Sequence, residues 1–180
     1  GGVRVTVTIS RTGYTGEPIC FELFSQRDHM RMMWEEILDV GGKEGIVPAS
    51  LGARDTLRIE AGLPLYGHEL GQDHEGKEIP IYAVSSAALA VSFSPSKGDF
   101  IGKEALRRQF KEMKLRSGGN SLPPKKEQIV PKKVVPMVMM GDQRNQEIAR
   151  QGDEVFLKGE QVGHVTSGAI VPYWTFSNEG

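Results

Sequence analysis

The chain has 180 residues, 38% of them hydrophobic and 25% charged, with a formal net charge of -1. That composition is globular, fits one ordinary domain or two small ones, and gives no global field to attract nucleic acid or an anionic membrane. No apolar run reaches the length of a membrane span and the start is not a secretory signal, while a single cysteine, Cys20, excludes an internal disulfide framework or a cysteine zinc site. A soluble protein of a reducing compartment is expected, the cytoplasm or, in a eukaryote, the mitochondrial matrix.

In chain order, VRVTVTI at residues 3–9 sets Val3, Val5, Val7 and Ile9 against Arg4, Thr6 and Thr8, the period of a half-buried strand. RTGYTGEP at 11–18 marks a turn or ordered loop. ICFELFS at 19–25 predicts a second strand that is largely apolar on both faces, with Ile19, Phe21 and Leu23 on one and Cys20, Glu22 and Phe24 on the other. Met30, Met33, Trp34, Ile37 and Leu38 fall at helical spacing, and GGKEG at 41–45 closes that helix. Residues 51–61 predict another helix, with Ser50 as N-cap and Gly62 as stop. Residues 63–80 read as an irregular loop, and IYAVSSAALAVSFS at 81–94 as one or two strands. Near GDFIGKEAL, Gly102 is placed as an N-cap, with Ile101 and Leu106 positioned for a hydrophobic staple.

Residues 114–133, KLRSGGNSLPPKKEQIVPKK, lose hydrophobic periodicity and predict a solvated linker. Beyond it KVVPMVMM, DEVFLKG and EQVGHVTSG read as short strands, with Lys158-Gly159 at a hairpin tip. The expected class is α+β: an antiparallel sheet with packed helices over 1–113, the linker, then a small, incomplete all-β, barrel-like domain over 134–180. A strand beginning almost at the first residue, and an end at YWTFSNEG without a closing element, make a fragment the expectation.

Few residues invite chemistry. A carboxylate among apolar neighbours on a buried strand costs several kcal/mol, roughly, unless it is paired. Glu22 therefore reads as the acceptor for a ligand with adjacent N–H donors, as half of an internal ion pair with an arginine, or as an edge residue reaching solvent. Arg54 and Arg58 are one helical turn apart; they suit a carboxylate tail or a polar ring edge, or equally a solvated face paired with Asp55 and Glu60. Tyr14, in its glycine-flanked loop, fits either stacking on a ring or packing. His68 and His74 lie among Glu69, Asp73 and Glu75, but their spacing is not a zinc signature and no metal is expected. His29 and His164 read as isolated structural residues, and Cys20 as a small hydrophobe.

RTGYTGE at Arg11–Glu17, GARDTLRIEAGLPLYGHEL at Gly52–Leu70 and DFIGKEAL at Asp99–Leu106 resemble the aminomethyltransferase, or T-protein, family of the glycine cleavage system. IARQGDEVFLKGEQVGHVTSG at Ile148–Gly168 resembles that family's C-terminal β-barrel domain. The resemblance implies that residues 1 to about 113 form part of a folate-binding core. It implies that Glu22 binds the pterin ring of tetrahydrofolate, that Arg54 contacts the folate, and that Tyr14 and Glu17 shape the site. It implies a one-carbon transfer to tetrahydrofolate from an aminomethyl group delivered on a lipoyl-carrier protein. No catalytic residue is assigned within the chain, because the family's catalytic aspartate corresponds to a position upstream of Gly1; the chain matches about half of the family pattern, and alone is expected to be inactive.

The pattern is not followed throughout. GEPICFE is one residue longer than the GEDGxE or GEAGxE of glycine-cleavage members, with Pro18 stiffening the turn. Val171-Pro172 stands where serine–proline is expected, and residues 79–94 fit only loosely. These departures are those of a divergent paralogue. They leave open a folate-dependent demethylase, a folate-capturing domain of an amine dehydrogenase, and a non-catalytic folate-binding module.

Overall fold

A computed structural model of the chain describes residues 4–139 and 147–170. Val3 of the first predicted strand, Met140 of the KVVPMVMM strand, Val171-Pro172 and the YWTFSNEG end lie outside the described residues. Those up to Leu63 form one unit and those from Pro64 another.

In the first unit, β1 (Thr8–Ser10) pairs antiparallel with β2 (Glu22–Phe24), in the register Thr8↔Phe24, Ile9↔Leu23 and Ser10↔Glu22. Both strands are shorter than the sequence pattern predicts. The helix α1 (Met30–Gly42) turns Met33, Ile37 and Leu38 to its half-buried side, while Trp34 stays exposed. Its end is closed as predicted within GGKEG, where the Ile46 N–H donates to the Gly41 carbonyl at 3.0 Å. The helix α2 (Leu51–Glu60) starts after Ser50, whose carbonyl accepts the Arg54 N–H at 3.1 Å; the Ser50 side chain makes no cap bond. Gly62 stops α2 with φ +68°, and the Leu63 N–H returns to the Arg58 carbonyl at 2.8 Å, the closure of a left-handed C-terminal cap.

The second unit is built around Tyr82, Ala83 and Val130, with Phe93, Leu106, Phe110 and Met113 packed on them. Residues 63–80 are more regular than a loop: β3 (Gly71–Gln72) and β4 (Glu78–Ile79) form a small antiparallel hairpin. Residues 81–94 carry no strand. Ile81–Ala83 is a 3-10 turn and α3 (Ser85–Leu89) a short helix, because Ala87, Ala88 and Leu89 are strong helix formers and outweigh the flanking valines. The helix α4 (Lys103–Ser117) begins after Gly102 as expected. Its Leu106, Phe110 and Met113 face the core at helical spacing. The staple is not formed, since Ile101 is fully exposed.

The lysine-rich stretch from 114 to 133 is not a free tether. It opens with the last turn of α4, and Val130 is 0% exposed. Glu112 of α4 accepts the backbone N–H groups of Ile129 and Val130 at 2.7 and 3.0 Å, and Arg116 donates to the Val130 carbonyl at 2.7 Å. These charge-assisted bonds hold the segment where periodicity has no signal.

β5 (Glu154–Leu157) and β6 (Glu160–His164) form the predicted hairpin across Lys158-Gly159, with a bulge at Val155/Phe156. Lys133–Met139 forms no strand, and Pro136 lacks the N–H that a ladder needs. The class is α+β as expected. Among the described residues the sheets are three separate two-stranded ribbons, and there is no closed barrel.

Candidate ligand-binding site

The loop between β1 and β2 is folded tightly. A Cβ at Gly13 would lie 2.2 Å from the Cys20 Cβ, so the two ends of RTGYTGEPIC touch only because residue 13 is glycine. Cys20 Sγ lies 3.3 Å from Thr15 Oγ1 and donates weakly to the Glu17 carbonyl at 3.6 Å; it is half-buried and precedes the strand instead of lying within it. Gly16, with φ +81°, sits against the end of α2: a Cβ there would approach the Ala61 Cβ to 2.5 Å.

That docking brings Tyr14 to Arg54. The guanidinium carbon of Arg54 lies 5.0 Å from the Tyr14 ring centroid, within the range of a cation–π contact. Arg54 itself is exposed. One turn on, Arg58 behaves differently. It is 2% exposed, its Nε donates to Asp55 Oδ1 at 2.6 Å, and its Nη1 donates to the Leu63 carbonyl at 3.3 Å. The Asp55 pairing expected for one arginine is thus made by Arg58, as a structural tie at the end of α2.

Glu22 is exposed, not buried among apolar neighbours; Phe21 and Phe24 beside it are 60% and 56% exposed. A two-stranded ribbon has no second layer to enclose it, so the burial cost inferred from its neighbours does not arise. The outcome matches the edge-strand reading, with one addition: Thr12 donates its hydroxyl to Glu22 Oε2. Thr12 also lies 3.0 Å from the Ser10 hydroxyl. The loop thus links the two parts of the site, through Thr12 to Glu22 and through Tyr14 to Arg54. Sequence reasoning treated Thr12 only as a turn residue. The signal available was its spacing of two from Ser10, but the cross-strand register that makes it meaningful is not readable from the chain.

In the second unit His68, His74 and His164 each make a specific contact. His68 Nδ1 is 3.0 Å from the Thr166 carbonyl and 3.3 Å from Ser167 Oγ, while His74 and His164 meet edge to face with centroids 4.1 Å apart. His164 is therefore not isolated. Partial burial, then the His74 and Lys132 charges, hold its pKa below the usual histidine value despite Asp73 and Glu75. Asp73 is held below the usual carboxylate range: slight burial opposes this, but the Lys77 and Glu75 backbone N–H groups and the two histidines outweigh it. Among the described residues no three His, Cys, Asp or Glu side chains are grouped to hold a metal ion. An open apolar depression of about 600 Å³, lined by Tyr82, Leu89, Val91, Phe93 and Phe110, offers shape without a charged anchor.

Residues 2–84 match the family model described as the GCVT N-terminal domain. Over 168 residues, 93% of its length, the chain is 42% identical to an aminomethyltransferase of Desulfitobacterium hafniense strain Y51. It is 41% identical to an aminomethyltransferase of Caldanaerobacter subterraneus subsp. tengcongensis and 40% identical to one of Halalkalibacterium halodurans, again over 93% of the chain. The aligned part covers 38%, 37% and 38% of those three relatives, so the chain spans under two fifths of their length, less than the half expected from its motifs. No solved structure matches it significantly.

Proposed function

Given that the chain belongs to the aminomethyltransferase family, we propose that it supplies part of a tetrahydrofolate site in a one-carbon transferase of the glycine cleavage type. When bound, tetrahydrofolate supplies the nitrogen that accepts the one-carbon unit. The residues present fit such a ligand. The Glu22 carboxylate is exposed and bonded by one hydroxyl, which leaves acceptor capacity for the parallel N–H donors of a pterin edge. Arg54 is planar, cationic and exposed, and its stack on Tyr14 restrains its direction, which suits a carboxylate or a polar ring edge.

The single observation that carries this reading is the arrangement of the loop between β1 and β2. It contacts Glu22 through Thr12 and Arg54 through Tyr14, so both motif residues implicated by resemblance touch the same loop. Residues 1–113 are read as part of the folate core, 114–133 as the connection, and 134–180 as the beginning of a terminal β-domain. A lipoyl-carrier protein is the proposed donor of the aminomethyl group.

GEPICFE and the loose match over 79–94 favour a second reading, in which the acceptor is still folate but the donor is not glycine-derived. A folate-dependent demethylase or the folate-capturing part of an amine dehydrogenase has that chemistry. A non-catalytic folate-binding module would share the site without the transfer. Calorimetric titration of tetrahydrofolate into the full chain tests the shared element. Glu22→Gln should weaken binding by roughly 1.5 to 3 kcal/mol, the range of a charge-assisted bond. An unchanged dissociation constant removes the pterin role.

A further inference from the structure

We propose that Thr12 is a positioning residue that fixes the Glu22 carboxylate for its ligand; this rests on the reading of Glu22 as the acceptor of a folate ring edge. Ser10 and Glu22 are directly opposed in the β1–β2 register, and opposed residues lie on the same face of a ribbon. Thr12 lies two residues beyond Ser10, just past the end of β1, and its hydroxyl contacts place it on that face. The three side chains are in contact: Thr12 Oγ1 bonds Glu22 Oε2 and lies 3.0 Å from Ser10 Oγ.

The direction of the proton follows from chemistry. Thr12 has one hydroxyl proton and an ionised carboxylate can only accept. That proton belongs to the Glu22 bond, and the Ser10 hydroxyl oxygen lies beside the Thr12 hydroxyl at 3.0 Å. The result is one directed bond, from Thr12 to Glu22, onto one carboxylate oxygen.

A glutamate side chain on an exposed ribbon otherwise samples several rotamers, and a ligand must select one of them on binding. Receiving two parallel N–H bonds demands more, because the carboxylate plane must coincide with the plane of the ring edge. Anchoring Oε2 from the side restricts that plane before the ligand arrives. Preorganisation of this kind raises affinity by reducing what is lost on binding.

The test is tetrahydrofolate titration of the full chain in four variants, with melting temperature measured for each. Thr12→Val keeps a strand-compatible shape and removes the hydroxyl; it should weaken binding about 3- to 10-fold, the scale of one lost exposed hydrogen bond. Thr12→Ser should restore affinity to within about twofold, since only the hydroxyl matters. In the Glu22→Gln background, Thr12→Val should cost nothing further, because both changes then act on one contact. If Glu22→Gln weakens binding but Thr12→Val does not, the positioning role is wrong and the Glu22 reading stands. Thr12→Ser binding as poorly as Thr12→Val, or full additivity of the double variant, also overturns it. If Glu22→Gln itself leaves binding intact, the underlying folate reading fails.

Discussion

Arg54 presents its guanidinium to the face of Tyr14, 5.0 Å from the ring centroid, and so joins α2 to the loop that follows β1. An exposed contact of this kind contributes about 0.5–1 kcal/mol. Its larger effect is on direction, since a planar cation stacked on a ring has fewer orientations than a lysine ammonium on a flexible stem.

Arg54→Lys should therefore separate charge from geometry. We expect a stability change under about 1 kcal/mol, with tetrahydrofolate affinity reduced roughly 5- to 10-fold through loss of the planar donor fork. Urea denaturation reads the first quantity and calorimetry the second. Wild-type affinity in the lysine variant would show that a point charge suffices.

Gly16 holds the same loop against α2. An alanine there meets two independent obstacles: a backbone at φ +81°, and an Ala61 Cβ only 2.5 Å from the new methyl. The left-handed conformation costs about 1–2 kcal/mol and overpacking about 1–3 kcal/mol. Gly16→Ala should lower unfolding free energy by about 2–5 kcal/mol in chemical denaturation. Adding Ala61→Gly removes the steric part and leaves the backbone part, so partial recovery is expected. No recovery would mean that the loop does not rest on Ala61.

The local elements of the sequence proved readable where one interaction decides them. Gly62 ends α2, Gly159 sits at the turn of the β5–β6 hairpin, and Gly102 precedes α4, each with a left-handed backbone that favours glycine. Residues 81–94 were misread as strand because valine and phenylalanine were weighed above the alanines that form α3. The tether was misread for a different reason: Val130 is buried in the core with Tyr82 and Ala83, and its backbone is bonded to Glu112 and Arg116, all over a dozen residues away, and periodicity sees only neighbours. At the site, residue types were legible and partners were not. Glu22, Arg54 and Tyr14 stood out by chemistry and resemblance, but Thr12 acquires meaning only from the Ser10↔Glu22 register. Burial of Glu22 was inferred from its apolar flanks, and the two-stranded ribbon leaves them exposed.

Glu112 offers a test of that long-range anchoring. Its side chain is buried, accepts two backbone N–H groups, and lies 3.6 Å from Arg116. Arg116 already carries a buried Nε without a partner among the described residues. Removing the carboxylate leaves two donors and a guanidinium short of an acceptor, at about 1–3 kcal/mol per unsatisfied group with partial relief from water. Glu112→Ala should thus cost about 3 kcal/mol, and amide exchange at Ile129 and Val130 should accelerate sharply. A loss of stability without faster exchange at those two amides would place the effect elsewhere.

The His74–His164 contact predicts a pH dependence with a definite sign. Partial burial, the His74 charge and Lys132 lower the His164 pKa from 6.5, against the pull of Asp73 and Glu75. Glu154 faces His164 across the ribbon, and the carboxyls of Asp73 and Glu75, themselves below 3.8 and 4.5, stay ionised through the histidine range. A histidine whose folded pKa is depressed takes up its proton more readily when unfolded, so the unfolded state binds more protons in the window just below 6.5. Stability therefore rises with pH there. The contribution is fully present above pH 6.5 and is lost as pH falls through that window towards the folded value. Melting temperatures between pH 8 and 5 should decline on the acid side, with amides of β6 losing protection first. His74→Gln removes the neighbouring charge while keeping a polar side chain, and should flatten the decline. Parallel melting curves for the two proteins would assign the acid sensitivity to groups other than this pair.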